Sequence, residues 1–107
     1  MIKEIKIGGH IFKVLYPYQF REKRVDGQCD SNQNEIRLAQ VDYLGAELAQ
    51  SNRDETFCHE ILHAINSVYC NDNIEEDDIE HMAQGLFQVL KDNFRFSFLE
   101  GKIYKGA

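Results

Sequence analysis

The stretch of sequence that decides the fold is residues 51–69, SNRDETFCHEILHAINSVY. Its apolar side chains recur at the period of a helix and share one broad face: Phe57, Cys58, Ile61, Leu62, Ala64, Ile65, Val68 and Tyr69. Ser51 is a suitable N-cap residue, and Asp54, three residues later, can complete a capping box. We therefore predict a helix over residues 51–69 that packs this face, with a buried Cys58 thiol, against a core.

The same helix carries the pattern H-E-x-x-H at His59-Glu60-Ile61-Leu62-His63. Side chains at positions i and i+4 of a helix lie about 6 Å apart on one face, so both imidazoles can reach one tetrahedral Zn²⁺. Glu60 lies about 100° around the helix, beside the metal, where it can take a proton from zinc-bound water. The alternative is that the two histidines simply lie on a solvated face, although a site in a cleft needs the same arrangement.

The residues before this helix change to the period of β-strands. Polar and apolar residues alternate on both sides of Gly8-Gly9, which is typical of a tight hairpin. A polar segment at residues 30–34 has the composition of a turn. We predict strands at residues 3–7, 10–14, 25–29 and 35–39, forming a small antiparallel sheet of three or four strands. The fold class is therefore α+β.

A second helix is predicted over residues 75–93, and a catalytic zinc needs a third protein ligand from it. Glu80 lies at the edge of the apolar stripe of this helix, where a carboxylate faces the protein and requires a cation. Glu76, one turn earlier on the same side, is the runner-up ligand or a supporting partner. The other acids are interpreted as compensation of the helix dipole: Glu75, Asp77 and Asp78.

The whole chain has 107 residues, 43% hydrophobic side chains and a net charge of −6. This length predicts a single domain over residues 1–107, and the acidic balance argues against nucleic acid or an anionic membrane as a partner. No stretch approaches the roughly 18 apolar residues of a membrane span, and the N-terminus does not resemble a signal peptide. Three cysteines, an odd number, favour a reducing cytoplasm.

The segment after the second helix places Phe94, Phe96 and Phe98 on one side at period 2, which predicts a short final strand packed on the core. Cys29 and Cys70 form no C-x-x-C pair, so a cysteine-rich structural zinc site is not expected.

The two predicted helices together resemble those of gluzincin-type zinc metallopeptidases, in which the histidines of H-E-x-x-H and a glutamate on the following helix bind zinc. The segment Glu80-His81-Met82-Ala83 most resembles the small, largely phage and mobile-element proteins related to ImmA/IrrE metallopeptidases, in which an E-x-x-A segment supplies that glutamate. The matching region covers residues 53–93, and the sheet matches in kind and order.

This resemblance implies a zincin-like fold with His59, His63 and Glu80 as zinc ligands and Glu60 as general base. It implies a zinc-dependent metallo-endopeptidase that hydrolyses peptide bonds of a protein substrate, such as a phage or mobile-element regulator. The strand before the active-site helix, residues 35–39, would pair with extended substrate, unless it is an ordinary edge strand. Three residues could stabilise an oxyanion: His10, Tyr43 and Tyr69. Of these, His10 is expected at the surface.

Two other classes of function fit the same residues. The first is a zinc-stabilised binding or regulatory module that keeps the site without hydrolysing peptides. The second is an acidic inhibitor or adaptor without a metal. Activity without a partner and the oligomeric state stay open at this stage.

Overall fold

The computed structural model describes residues 1–94 and 96–99. The described residues form a four-stranded sheet and two helices: β1 (Glu4–Ile7), β2 (His10–Leu15), β3 (Gly27–Asp30), β4 (Glu35–Leu38), α1 (Gln50–Tyr69) and α2 (Glu76–Asn93). The predicted α+β class is confirmed, and each element begins and ends within two residues of its predicted bounds. In this part of the chain, neither helix combines the length and hydrophobicity that crossing a membrane requires.

The sheet is mixed, with strand order β1-β2-β4-β3, so the prediction of an antiparallel sheet is wrong for one pair of strands. β2 and β4 run parallel, with Lys13 opposite Glu35. The reason is the connection over residues 16–26, which places β3 two strand positions from β2 and leaves room for one strand between them. β4 then returns from β3 through a tight turn and fills the gap beside β2. β4 is therefore a central strand, and both interpretations of residues 35–39, as a substrate-pairing strand and as an ordinary edge strand, are wrong.

The turn between β3 and β4 is held by the carboxylate of Asp30, which accepts hydrogen bonds from the backbone N–H groups of Asn32 and Gln33. Asn34 completes the turn with a φ of 53°, a conformation that asparagine tolerates better than most residues. The polar composition of this segment thus fixes the register in which β4 enters the sheet.

The core lies between the sheet and α1, and α2 packs on α1 and not on the strands. The buried hydrophobic cluster draws on the strands, on α1 and on the segment after α2: Ile7, Phe12, Val14, Ile36, Leu38, Phe57, Ala64 and Phe98. The predicted burial of Cys58 is confirmed, since the residue is 1% exposed. Burial also raises the pKa of its thiol to about 12. α1 is thus the middle layer, with one face in the core and another facing α2.

The predicted N-cap of α1 is wrong. The helix begins at Gln50 with Ala49 as its N-cap residue, and no side chain caps it. Asp54 is instead buried and accepts hydrogen bonds from the backbone N–H of Phe98 and the hydroxyl of Ser97. The carboxylate expected to cap the helix therefore ties the segment after α2 to the start of α1.

The predicted packing of the final strand is confirmed for Phe96 and Phe98, whereas the strand itself is not found among the described residues. The described residues of this segment, Phe94 and residues 96–99, have no continuous strand. Phe98 is fully buried, and the rings of Phe98 and Phe96 lie 5.1 Å and 6.3 Å from that of Phe57. Phe94 is exposed, so the three aromatic side chains do not share one environment.

Candidate metal centre

Three side chains from α1 and α2 bring potential ligand atoms together. Nε2 of His59 lies 3.0 Å from Nε2 of His63. The two carboxylate oxygens of Glu76 lie 3.0 Å from His59 Nε2 and 2.8 Å from His63 Nε2. The expectation that both histidines occupy one face of a helix is confirmed, and this group could hold a metal ion.

The chemistry of these donors fits a divalent cation. Two imidazole nitrogens and a carboxylate are all acceptors when deprotonated, so their convergence requires either protons or a cation between them. Tetrahedral donors at zinc distances of 2.0–2.1 Å are roughly 3.4 Å apart. The donor separations of 2.8–3.0 Å are a few tenths of an ångström shorter, and small side-chain rotations would open them enough.

The electrostatics of the group favour a free lone pair on His63. Burial lowers the pKa of His63; the negative charge of Glu76 opposes this shift, and the nearby His59 adds to it. A lowered pKa leaves the imidazole neutral near pH 7, which is the form that binds a metal. The Glu76 side chain is 60% exposed, so the group opens to solvent on the side of α2.

The position of Glu76 depends on the short connection between the helices. Asn66, buried near the end of α1, donates from its side-chain amide to the carbonyl of Ile74 and accepts the Ile74 N–H through Oδ1, both at 3.1 Å. Ile74 lies two residues before Glu76. The sequence analysis does not identify Asn66. The available signal is the turn after α1, whose backbone N–H and C=O groups need hydrogen-bond partners that a nearby polar side chain can supply.

Glu80, the third ligand predicted from the sequence, lies one turn further along α2. The residue is exposed and lines a cavity beside the histidines. The group of three donors contains Glu76 instead. Helical phase could not separate the two glutamates, because they share one side of α2. The assignment of Glu80 as a ligand stays a prediction, and the geometry favours the runner-up.

Glu60 is buried between α1 and β3, with 6% of its surface exposed. Burial raises the pKa of its carboxyl group to about 8, and the negative charge of Glu76 contributes in the same direction. A carboxyl group with this pKa can take up and release a proton near neutral pH, which suits the role of general base.

Gly27, at the start of β3, is what allows Glu60 to lie there. A Cβ atom at this position would contact Thr56 Cγ2 and would lie 2.9 Å from Glu60 Oε2. A glycine inside a strand often marks such a close approach, and this is the signal that position 27 offers in the sequence.

A cavity of about 410 Å³ lies beside the histidines. Its walls come from α1, α2 and the residues around the start of β3, and they include Val25, Gly27, Glu55, Thr56, His59 and Glu60. The three oxyanion candidates lie elsewhere. Among the described residues, none of them lines this cavity, and all three are exposed: His10, Tyr43 and Tyr69. The expected exposure of His10 is confirmed.

No family model, curated protein or solved structure matches this chain. The class that the described fold and site define is an α+β domain in which two packed helices present two histidines and a glutamate that could hold a metal ion.

Proposed function

We propose that the protein is a zinc-dependent metallo-endopeptidase of the H-E-x-x-H gluzincin type, related to the phage and mobile-element ImmA/IrrE-like proteins and acting in the cytoplasm. One observation carries the proposal. Two histidines and a carboxylate on the following helix converge within hydrogen-bond distance, next to a buried glutamate at a cavity. Peptide hydrolysis by zinc requires these parts together: three ligands, a base and room for substrate.

In this proposal, His59 and His63 hold the metal with a carboxylate from α2, either Glu76, which the geometry favours, or Glu80, which the resemblance implies. A bound zinc ion supplies Lewis-acid chemistry, activating water and polarising the peptide carbonyl. Glu60 accepts a proton from the attacking water while the water oxygen forms a bond to the carbonyl carbon. Glu60 then delivers that proton to the amine nitrogen as the C–N bond breaks.

The sheet edge beside the cavity offers a place for an extended peptide. Within the described residues, β3 pairs with β4 alone, and Gly27 at its start lines the cavity. The N–H and C=O groups along a free strand edge can pair with substrate backbone. This role, expected from the resemblance for residues 35–39, passes to β3 because β4 is central.

The test compares the parent protein with Glu60→Gln. Zinc content is measured by elemental analysis, and cleavage of a mixed peptide library is followed by mass spectrometry. We expect about one zinc ion per chain in both proteins and a loss of cleavage by about 10²–10⁴-fold in the variant, because glutamine cannot carry the proton. Glu4→Gln, an exposed glutamate on β1, is the matched control. Equal cleavage by parent and Glu60→Gln would overturn the mechanism.

A zinc-stabilised binding module is the second candidate, and the layering of the fold favours it. α2 packs on α1 and not on the sheet, so a shared metal would fasten the outer helix to the rest of the domain. In that case zinc raises the melting temperature of the parent and of Glu60→Gln equally, and neither protein cleaves any member of the library.

A further inference from the structure

The cavity beside His59 is lined by carboxyl groups from three parts of the fold. Glu55 and Glu60 come from α1, Glu80 from α2, and Asp26 from the residue before β3. Among the described residues that line it, Arg24 supplies the one guanidinium group. The lining therefore carries a net negative charge, and its charged residues come from elements that are far apart in sequence.

Glu60 shows that this lining is not simply a solvated acidic surface. It is 94% buried, and no described residue donates a hydrogen bond to its carboxylate. Buried carboxyl groups normally have hydrogen-bond donors or a cation next to them, because an unpartnered one is costly. Among the described residues, neither carboxylate oxygen of Glu60 is sealed from solvent, and Glu60 lines the cavity. A hydrogen-bond donor or a cation can therefore reach this carboxylate from the cavity.

Apolar groups share the lining of the cavity with the carboxylates. Val25 and Ala83 line the cavity, together with Thr56, whose methyl group approaches Gly27. Carboxylates around an apolar surface match a long side chain with methylene groups and a positive end. A volume of about 410 Å³ falls within the range of ligand pockets, so such a side chain has room.

We infer that this cavity binds a cationic group of the peptide substrate, either the side chain of a lysine or arginine next to the scissile bond or a free N-terminal ammonium. The inference rests on the proposed peptidase function and adds a substrate class to it: peptides that present a positive charge beside the bond to be cut. The net charge of −6 favours the approach of such substrates over acidic ones.

The test uses hydroxamates, whose metal-binding group is constant while the side chain varies. Isothermal titration of the zinc-loaded parent compares Nα-acetyl-lysine hydroxamate with Nα-acetyl-norleucine hydroxamate, which lacks the charge, and Nα-acetyl-glutamate hydroxamate, which reverses it. Norleucine hydroxamate with a free α-amine forms the fourth arm. We expect the lysine or the free-amine compound to bind about five- to tenfold more tightly than acetylated norleucine, and the glutamate compound to bind most weakly.

The four compounds distinguish a side-chain charge from an N-terminal charge, and they distinguish failure of the cationic subsite from failure of the metal centre. Tight binding of the lysine compound assigns the cavity to a side chain, and tight binding of the free amine assigns it to an N-terminus. Equal binding of all four compounds would overturn the cationic subsite while leaving the peptidase proposal in place. If none of the four compounds binds, the proposed metal centre is wrong, and the proposed subsite is wrong with it.

Two variants test whether the cationic group binds in this cavity. Glu55→Gln and Asp26→Asn each remove one lining charge from a different element, and Glu4→Gln on β1 is the remote control. We expect the two lining variants to reduce the preference for the cation to about twofold while binding of acetylated norleucine stays unchanged. A preference equal to that of the parent in both lining variants would show that the cation binds outside this cavity.

Discussion

Glu60 can be buried beside β3 because residue 27 has no side chain. A Cβ atom at position 27 would lie 2.9 Å from Oε2 of Glu60, and Cβ atoms in proteins essentially never make contacts this short. Two residues more than thirty positions apart are therefore matched in size. The H-E-x-x-H pattern indicates Glu60, but no local pattern indicates its partner, because the contact forms only when α1 packs on the sheet.

Gly27→Ala is expected to lower kcat/KM by about tenfold to a hundredfold with little change in zinc content. The added methyl group would clash with Thr56 Cγ2, the nearest atom, and with the Glu60 carboxylate, so the carboxylate is displaced. His59 and His63 instead contact Glu76 of α2. Kinetics on a cleaved peptide and elemental analysis measure the two quantities.

Gly85→Ala is the control, since a Cβ atom there meets no other atom within 4 Å. This helical substitution should raise the free energy of unfolding by about 0.5–1 kcal/mol and leave kinetics unchanged. Wild-type kinetics in Gly27→Ala would contradict the proposed placement of Glu60.

At the scale of elements, periodicity predicts the helices and strands well but not how they meet. Alternation along residues 35–39 identifies a strand, yet nothing in it shows that β2 would be a parallel neighbour. Similarly, Glu76 and Glu80 occupy one side of α2, and the choice between them depends on the point at which α2 crosses α1. The connection after α1 decides that point, and helical phase contains no information about it.

Asn66→Ala is expected to weaken zinc binding by about 10–100-fold and to lower the free energy of unfolding by about 1–3 kcal/mol. The substitution removes both hydrogen bonds to Ile74 and so releases the start of α2, which carries Glu76. Competition with a chromophoric chelator measures zinc affinity, and urea denaturation measures stability.

The control for this prediction is Asn73→Ala, an exposed residue of the same connection, which should change neither quantity. If Asn66→Ala loses stability but keeps the zinc affinity of the parent, Asn66 supports the fold without positioning Glu76.

Glu76→Gln is expected to weaken zinc binding by on the order of tenfold or more, and Glu80→Gln by less. The reason is that the Glu76 oxygens lie 2.8–3.0 Å from the imidazole nitrogens, whereas Glu80 is not part of that group. The same chelator competition compares the two variants. The reverse order would return the third ligand to Glu80, as the family resemblance implies.

For the whole molecule, the three layers explain how 107 residues can both form a core and hold a site. α1 buries one face against the sheet and uses another to meet α2. The apolar pattern of the sequence was sufficient to predict the first interface. In the second interface, the buried side chains of α2 are Ile79 and Ala83, whereas Glu76, which contacts the histidines, is the first residue of α2 and is 60% exposed.

Removal of zinc is expected to destabilise the domain. A metal present at about a thousand times its dissociation constant adds about 4 kcal/mol to the free energy of unfolding, which for a domain of this size corresponds to a fall of roughly ten degrees or more in Tm on chelation. Calorimetry with and without EDTA measures the shift, and readdition of zinc should restore it. A Tm that EDTA does not change would argue against a metal at this group.

The donors of the metal group all fall within residues 59–76, and this has a consequence for the order of folding. A chain is synthesised from its N-terminus, so the four strands, which lie within residues 4–38, leave the ribosome before any of these donors. We expect metal capture to be a late step of synthesis, because Glu76 emerges after all four strands and α1.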